Sequence, residues 1–260
     1  VISGRIRHIP EAPMPPTSLV LVPGLLCDEA VWEPQFAALA PVAESTIARH
    51  GSADTLGRMA EQILDLAPPR FALAGHSMGG RVALEVVARA PDRVQRLALL
   101  DTGFEGLAPG EAGEKERAGR LRLLDIARRD GMRAMGRDWA RGMVHPGRLG
   151  DAALMNAILD MIDRATPDVF AAQIQALLGR PDRTALLGTI AVPTLVLCGH
   201  EDSWSPLARH RLLARAIPRS VLVDVPDCGH MCTMERPQAL GTALVAWLTD
   251  APQPYATQES

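Results

Sequence analysis

The chain has 260 residues, 47% hydrophobic and 22% charged, a size and composition suited to a globular domain with a sizeable core rather than to a disordered chain. A formal net charge of −3 supplies no overall attraction to nucleic acid or acidic membranes. No apolar run approaches the roughly eighteen residues of a membrane span, residues 1–16 lack the apolar centre of a signal peptide, and four cysteines are too few to staple a chain this long, so the expected compartment is the cytoplasm.

Leu19 to Val22 and Glu44 to Ile47 are the first of six short β-rich runs, followed by a helical pattern through Leu56, Met59, Ala60, Ile63 and Leu64. Phe71 to Ala74 predicts a third strand. Behind it, Gly79, Val82, Ala83, Val86, Val87 and Ala90 recur at helical spacing as one apolar stripe, while Arg81, Glu85 and Arg89 form a polar stripe expected to carry a surface ion pair. Arg96 to Leu100 is the fourth strand. From Phe104 to Leu187 no strand-like run occurs, and helices are expected over Glu111 to Arg129, Met132 to Met143, Asp151 to Arg164 and Pro167 to Leu178, with Thr166 as N-cap before Pro167. Thr194 to Cys198 and Val221 to Val225 complete the strands. A helix through Leu240, Ala243, Leu244, Trp247 and Leu248 follows, and the tail from Ala251 is expected to fray.

Most of these strand runs are apolar throughout rather than alternating, as strands covered on both faces of a parallel sheet are. Strands alternating with helices predict a doubly wound, mostly parallel α/β fold. The interruption divides it into a core, 1–103 and 188–260, and a helical cap, 104–187, lying over the C-terminal edge of the sheet where open α/β folds bind ligands.

The junction between the third strand and its helix reads Gly75-His76-Ser77-Met78-Gly79-Gly80. A serine between glycines at a strand-to-helix corner is exposed on a sharp turn, as a nucleophile must be. A hydroxyl is a poor nucleophile at neutral pH and needs a general base with a third group to orient it. Asp202 follows the fifth strand on a polar loop ending in Ser205-Pro206, and His230 follows the sixth beside Gly229. Their rivals are Glu201 and Asp101 for the acid, with Asp101 expected to cap a loop, and His76 and His200 for the base. His76 should point away from the hydroxyl, and His200 lies on the acid's own loop. The bland reading of Ser77 is a tight-turn serine in an inactive relative.

Pro23-Gly24, the Ser77 motif, Gly199-x-x-Asp202-x-x-x-Pro206 and Gly229-His230 together resemble the α/β-hydrolase fold superfamily, in particular its small cofactor-free carboxylesterase and lactonase type. The resemblance implies Ser77 as nucleophile, His230 as general base and acid, Asp202 as orienting carboxylate, and an oxyanion hole built from the backbone N–H groups of Met78 and Leu25. It also implies no cofactor. Two departures stand out: proline precedes Gly24 where the family carries histidine, and the N-terminal β-hairpin is shortened or missing.

Arg81, Phe104, Trp139, Phe170 and Trp204 are candidate substrate contacts, within a wider apolar set that adds Met143, Met155 and Met161. Nine arginines between Arg117 and Arg148 suit a carboxylate, a thioester carrier or an acidic acyl-carrier-type partner, although compositional bias explains them equally well. Cys27, Cys228 and Cys232 read as small core residues, and Cys228-x-His230-x-Cys232 lacks the further ligands of a zinc site. The expected function is hydrolysis of a small carboxylic ester, thioester or lactone through an acyl-serine. The alternatives are a lyase of the menaquinone-pathway type on the same triad, and a non-enzymatic small-ligand sensor.

Overall fold

The computed structural model describes residues 16–253; the expectation of a shortened N-terminal hairpin, and most of the C-terminal tail, lie outside them. Six strands, β1 (Thr17–Val22), β2 (Ala43–Ile47), β3 (Phe71–His76), β4 (Val94–Leu100), β5 (Thr194–Gly199) and β6 (Ser220–Val225), form one sheet in the order β2-β1-β3-β4-β5-β6. Every neighbouring pair is parallel, with Leu21 beside Ala74, Ala74 beside Ala98 and Leu99 beside Val196. All six residues of β3 and of β5 are buried. Since successive side chains point to opposite faces, both faces of the sheet are covered, which is why these strands read as unbroken apolar runs.

The helices are α1 (Phe36–Leu39), α2 (Leu56–Leu66), α3 (Met78–Arg89), α4 (Glu111–Asp130), α5 (Met132–Trp139), α6 (Ala152–Asp163), α7 (Pro167–Leu178), α8 (Thr184–Leu187), α9 (Leu207–Ala216), α10 (Cys232–Glu235) and α11 (Pro237–Thr249). Thr166 caps α7 by accepting from the Val169 N–H at 3.3 Å, and Asp151 caps α6 through Leu154 at 3.1 Å, both satisfying donors that a helix start leaves free. One helix boundary differs from expectation by more than two residues. Instead of continuing to Met143, α5 ends at Trp139 and tightens into a 3-10 turn, Ala140–Gly142, where Gly142 lies so close to the Trp204 indole that a Cβ would reach within 2.8 Å of it. No helix among the described residues is long and apolar enough to cross a membrane.

The strand order sets the position of the site. From β1 the chain moves outward to β2, then returns to the other side of β1 for β3, so the loops leaving β1 and β3 diverge. Ligands bind in the crevice that such a switch opens at the carboxyl ends of strands. Leu25 follows β1 and Ser77 follows β3, and the two residues face the same cavity.

Candidate active site

Ser77 stands at φ +55° between β3 and α3, a strained backbone that non-glycine residues keep only when their surroundings enforce it. The surroundings do so through two close approaches. A Cβ at Gly75 would collide with the carbonyl of Gly79, and one at Gly79 would collide with that of Val22. Glycine at both positions lets β3, α3 and β1 close around the serine.

His230 Nε2 lies 2.8 Å from Ser77 Oγ, and its Nδ1 lies 2.8 Å from Asp202 Oδ2. The other carboxylate oxygen of Asp202 accepts from the N–H groups of Trp204 and Ser205 at 2.8 and 2.9 Å, so the acid is held on both sides. Burial alone would lower the pKa of His230, but the adjacent Asp202 charge and its hydrogen bond outweigh that and leave it raised. In Asp202 burial acts to raise the carboxyl pKa, while His230 and the two amides bring it below its ordinary value. With both ring nitrogens of His230 engaged, neither is left for a metal. Cys228 and Cys232 are buried, and burial pushes both thiols up. Cys27 differs in that it lines the cavity.

The rival residues occupy supporting positions. Asp101, at φ +46° after β4, accepts from the Gly199 N–H at 2.8 Å, and burial together with the Asp202 charge raises its carboxyl pKa well above the usual range. His200 pairs with Asp224 near the surface, at 2.9 Å. His76 donates from Nε2 to the backbone carbonyl of His230 at 2.8 Å. Glu201 accepts from the Cys228 N–H at 3.0 Å.

Several contributors carried no sequence signal. Thr102 donates its hydroxyl to the Ser77 carbonyl at 2.6 Å, and its N–H donates to His210 Nε2 at 2.9 Å, which ties the serine's turn to α9. Glu235 accepts from the N–H groups of Gly229 and His145 at 3.0 and 2.8 Å, buckling the loop that carries His230. Gln173 on α7 accepts from the Leu26 N–H at 2.9 Å. Apart from Glu235 with Gly229, six residues apart, these pairings join segments far apart in the chain, so only the fold displays them.

The cavity over Ser77 has a volume of about 300 Å³. Met78, whose N–H opens α3, lines it together with Leu25, Trp139, Met143, Leu177 and Trp204. Trp139 stacks on Trp204 with ring centres 5.3 Å apart, and Trp204 leans on His230 at 5.0 Å. Of the expected substrate contacts, Arg81, Trp139 and Trp204 reach the cavity. Phe104 and Phe170 are buried and do not line it, Phe170 packing against Trp139 at 6.1 Å.

Four guanidinium groups line the same cavity: Arg81, Arg120, Arg180 and Arg209. Arg180 pairs with Glu116 through both terminal nitrogens at 2.7 and 2.8 Å, Arg120 joins Glu116 at 2.9 Å, and Arg209 meets Glu105 at 3.3 Å. Two carboxylates against four guanidiniums leave an excess of positive charge. The expected surface stripe on α3 is therefore corrected. Arg81 turns into the cavity and donates to the Glu105 carbonyl at 2.7 Å, Glu85 is buried and pairs with Arg183, and Arg89 pairs with Glu61 on α2. The stripe fails because α3 is covered by its neighbours on that side as well. Burial, with Arg180 and Arg209 nearby, pushes the Arg81 pKa down to about 9. Most of the arginines between Arg117 and Arg148 form peripheral pairs, such as Arg122 with Asp138 and Arg133 with Asp160.

The chain is 27% identical over 233 residues to a pimeloyl-[acyl-carrier protein] methyl ester esterase of Nitrosomonas europaea, covering 85% of this chain and 91% of that one. It is also 27% identical over 251 residues to a 2-succinyl-6-hydroxy-2,4-cyclohexadiene-1-carboxylate synthase of Salmonella paratyphi C, covering 92% and 96%. Among solved structures, a thermophilic esterase of Thermogutta terrifontis superposes with a TM-score of 0.80 at 28% identity, covering 90% of each chain. The family model described as alpha/beta hydrolase fold matches residues 19–237, and the chain belongs to that family.

Proposed function

We propose that the chain is a serine hydrolase that cleaves a small carboxylic ester or thioester whose acyl or leaving group carries a negative charge. The observation that carries this reading is the hydrogen-bonded series Ser77 Oγ, His230 Nε2, His230 Nδ1, Asp202 Oδ2, with both links at 2.8 Å. In this reading His230 takes the Ser77 proton as the hydroxyl oxygen attacks the acyl carbon, then returns it to the departing alkoxide or thiolate. The N–H groups of Met78 and Leu25 stabilise the negative charge that develops on the carbonyl oxygen, an effect worth about 3 kcal/mol for one donor. Water, deprotonated by His230, then attacks the acyl-serine and releases the acid. The segment 104–187 serves as the cap, closing the cavity with Trp139, Met143 and Arg180.

The arginine excess supports the anionic part of the assignment. A carboxylate or phosphate entering a partly desolvated cluster of guanidiniums gains charge-assisted bonds and relieves their mutual repulsion. An acyl group delivered on an acidic carrier protein fits the same cluster. The arginines and the synthase relative also favour a second reading, a lyase in which His230 removes a carbon-bound proton from a polyanionic substrate.

Labelling with a fluorophosphonate, together with a chain-length series of p-nitrophenyl esters, tests the proposal. The hydrolase reading expects labelling at Ser77, burst kinetics with short acyl groups, and loss of both in Ser77→Ala with the fold intact. Ester turnover persisting in Ser77→Ala contradicts it; a labelled Ser77 with every ester inert, the mono-esters of dicarboxylic acids included, favours the lyase.

A further inference from the structure

We infer that Gln173 is a positioning residue for the oxyanion hole, holding the loop after β1 so that the Leu25 N–H faces the reacting carbonyl; this rests on the serine-hydrolase reading above. The loop needs an external hold because Leu26 adopts φ +58°, a left-handed backbone that costs a non-glycine residue stability unless its surroundings enforce it. Within the loop, one backbone bond closes the turn, from the Cys27 N–H to the Gly24 carbonyl at 3.1 Å. From outside it, Gln173 Oε1 accepts from the Leu26 N–H at 2.9 Å, and Gln173 Nε2 donates to the Gly51 carbonyl at 3.3 Å. The side chain is buried, 5% exposed, and so is its bond to the Leu26 N–H, so water does not readily replace that bond.

The geometry explains why the amide bears on catalysis. Leu25 and Leu26 share a peptide unit, and Leu25 lines the cavity over Ser77 while Leu26 points its N–H away to α7. Fixing the Leu26 N–H fixes the plane of that peptide; the Leu25 N–H lies in the preceding peptide unit, whose Gly24 carbonyl accepts from the Cys27 N–H at 3.1 Å, so holding Leu26 within this turn holds both planes that set the direction of the Leu25 N–H. Gln173 thereby couples a helix of the 104–187 segment to the carbonyl-binding side of the site without touching substrate. Displacements of about 1 Å in such donors cost on the order of a hundredfold in rate.

Gln173→Met keeps length and bulk but removes both polar partners. Its kcat for a short p-nitrophenyl ester is expected to fall about 10- to 100-fold, with KM changed less than about twofold and the acid limb of the pH profile unmoved, because His230 is untouched. The fluorophosphonate labelling rate, which also depends on the carbonyl-binding donors, should fall in parallel. Gln173→Glu retains an acceptor for the Leu26 N–H, and burial favours its protonated form, which also donates; it should recover most of kcat. Wild-type kcat in Gln173→Met, a loss confined to KM, or no recovery in Gln173→Glu overturns the assignment. If Gln173→Met does not fold, Gln173→Asn carries the same test, since its shorter side chain withdraws the amide from Leu26. Wild-type protein that is not labelled overturns the serine mechanism itself, whereas a labelled wild type and an equally fast Gln173 variant overturn only this role.

Discussion

His76 donates from Nε2 to the backbone carbonyl of His230 at 2.8 Å, so the residue before the candidate nucleophile holds up the loop that carries the candidate base. Burial, reinforced by His230 nearby, pushes the His76 pKa down to about 3. The ring is therefore neutral, and its carbonyl partner requires the proton to sit on Nε2. The first and second members of the hydrogen-bonded series are thus joined through backbone as well as through their side chains.

Replacing His76 with Phe keeps a ring of similar size in the same packing but leaves the His230 carbonyl without its donor. An unsatisfied buried acceptor costs about 1 to 3 kcal/mol, so the variant should unfold at lower denaturant. It should also lose kcat beyond what its folded fraction explains. Unfolding curves read beside turnover check this, and an unchanged midpoint removes the structural part of the argument.

The pH profile follows from the sign of the His230 shift. A general base works only when unprotonated, and its raised pKa means that it gains a proton at higher pH than a free imidazole does. As pH falls, activity should therefore disappear with a midpoint above 6.5, the ordinary value. In Asp202→Asn the largest raising charge is gone while burial and the smaller pull of Asp101 and Glu235 remain, so the midpoint should move down from its wild-type position as kcat drops on the order of 10³- to 10⁴-fold. A midpoint unmoved in Asp202→Asn would assign the shift to another group.

Much of this arrangement was legible in the linear text because it rests on local rules. Strands β3 and β5 are buried at every position and read as apolar runs over residues 71–74 and 195–198 because both faces are covered, and the Pro167–Leu178 helix is bounded by Thr166 and Pro167, start signals with a mechanism. Ser77, Asp202 and His230 each follow a strand, where turns display polar side chains. Gln173, Thr102, His210 and Glu235 were not legible. Each acts through a bond spanning between 6 and 147 residues to a backbone group elsewhere, and nothing in an amide, hydroxyl or carboxyl side chain names its distant partner. Arg180 and Arg209 escaped for the same reason: the cluster is assembled from four separate segments, and the local excess visible in the sequence, Arg117 to Arg148, contributes only Arg120 to it. The α3 stripe misled because four-residue spacing reports only that side chains share a face.

The arginine cluster makes a prediction about substrate charge. Arg81 spends one N–H group on the Glu105 carbonyl, and the other donors of its guanidinium are the ones proposed to meet an anion. In Arg81→Met, kcat/KM for the mono-ester of a dicarboxylic acid should fall about 10- to 100-fold, as expected for a charge-assisted bond, with a smaller loss for a neutral ester of equal length. Added salt should weaken the wild-type preference. Equal losses for the charged and neutral esters would mean that Arg81 shapes the cavity without reading charge.

Glu85 offers a test of the fold around the site. It lies on α3, the helix that begins at Met78, with its side chain only 3% exposed, and Arg183 pairs with it at 2.6 Å from just before α8. The Arg183 N–H also donates to the Phe104 carbonyl at 2.9 Å, so this residue closes the two ends of the inserted helical segment onto α3. Arg183→Leu leaves a buried carboxylate without its half-exposed partner and should destabilise the protein by about 1 to 3 kcal/mol. Glu85→Leu combined with Arg183→Leu removes both charges and supplies apolar groups, so the double variant should be more stable than Arg183→Leu alone. Denaturant unfolding of the two variants beside wild type decides the matter: if the double variant is the less stable, the pair contributes attraction that outweighs the cost of burying it, and desolvation does not govern this contact.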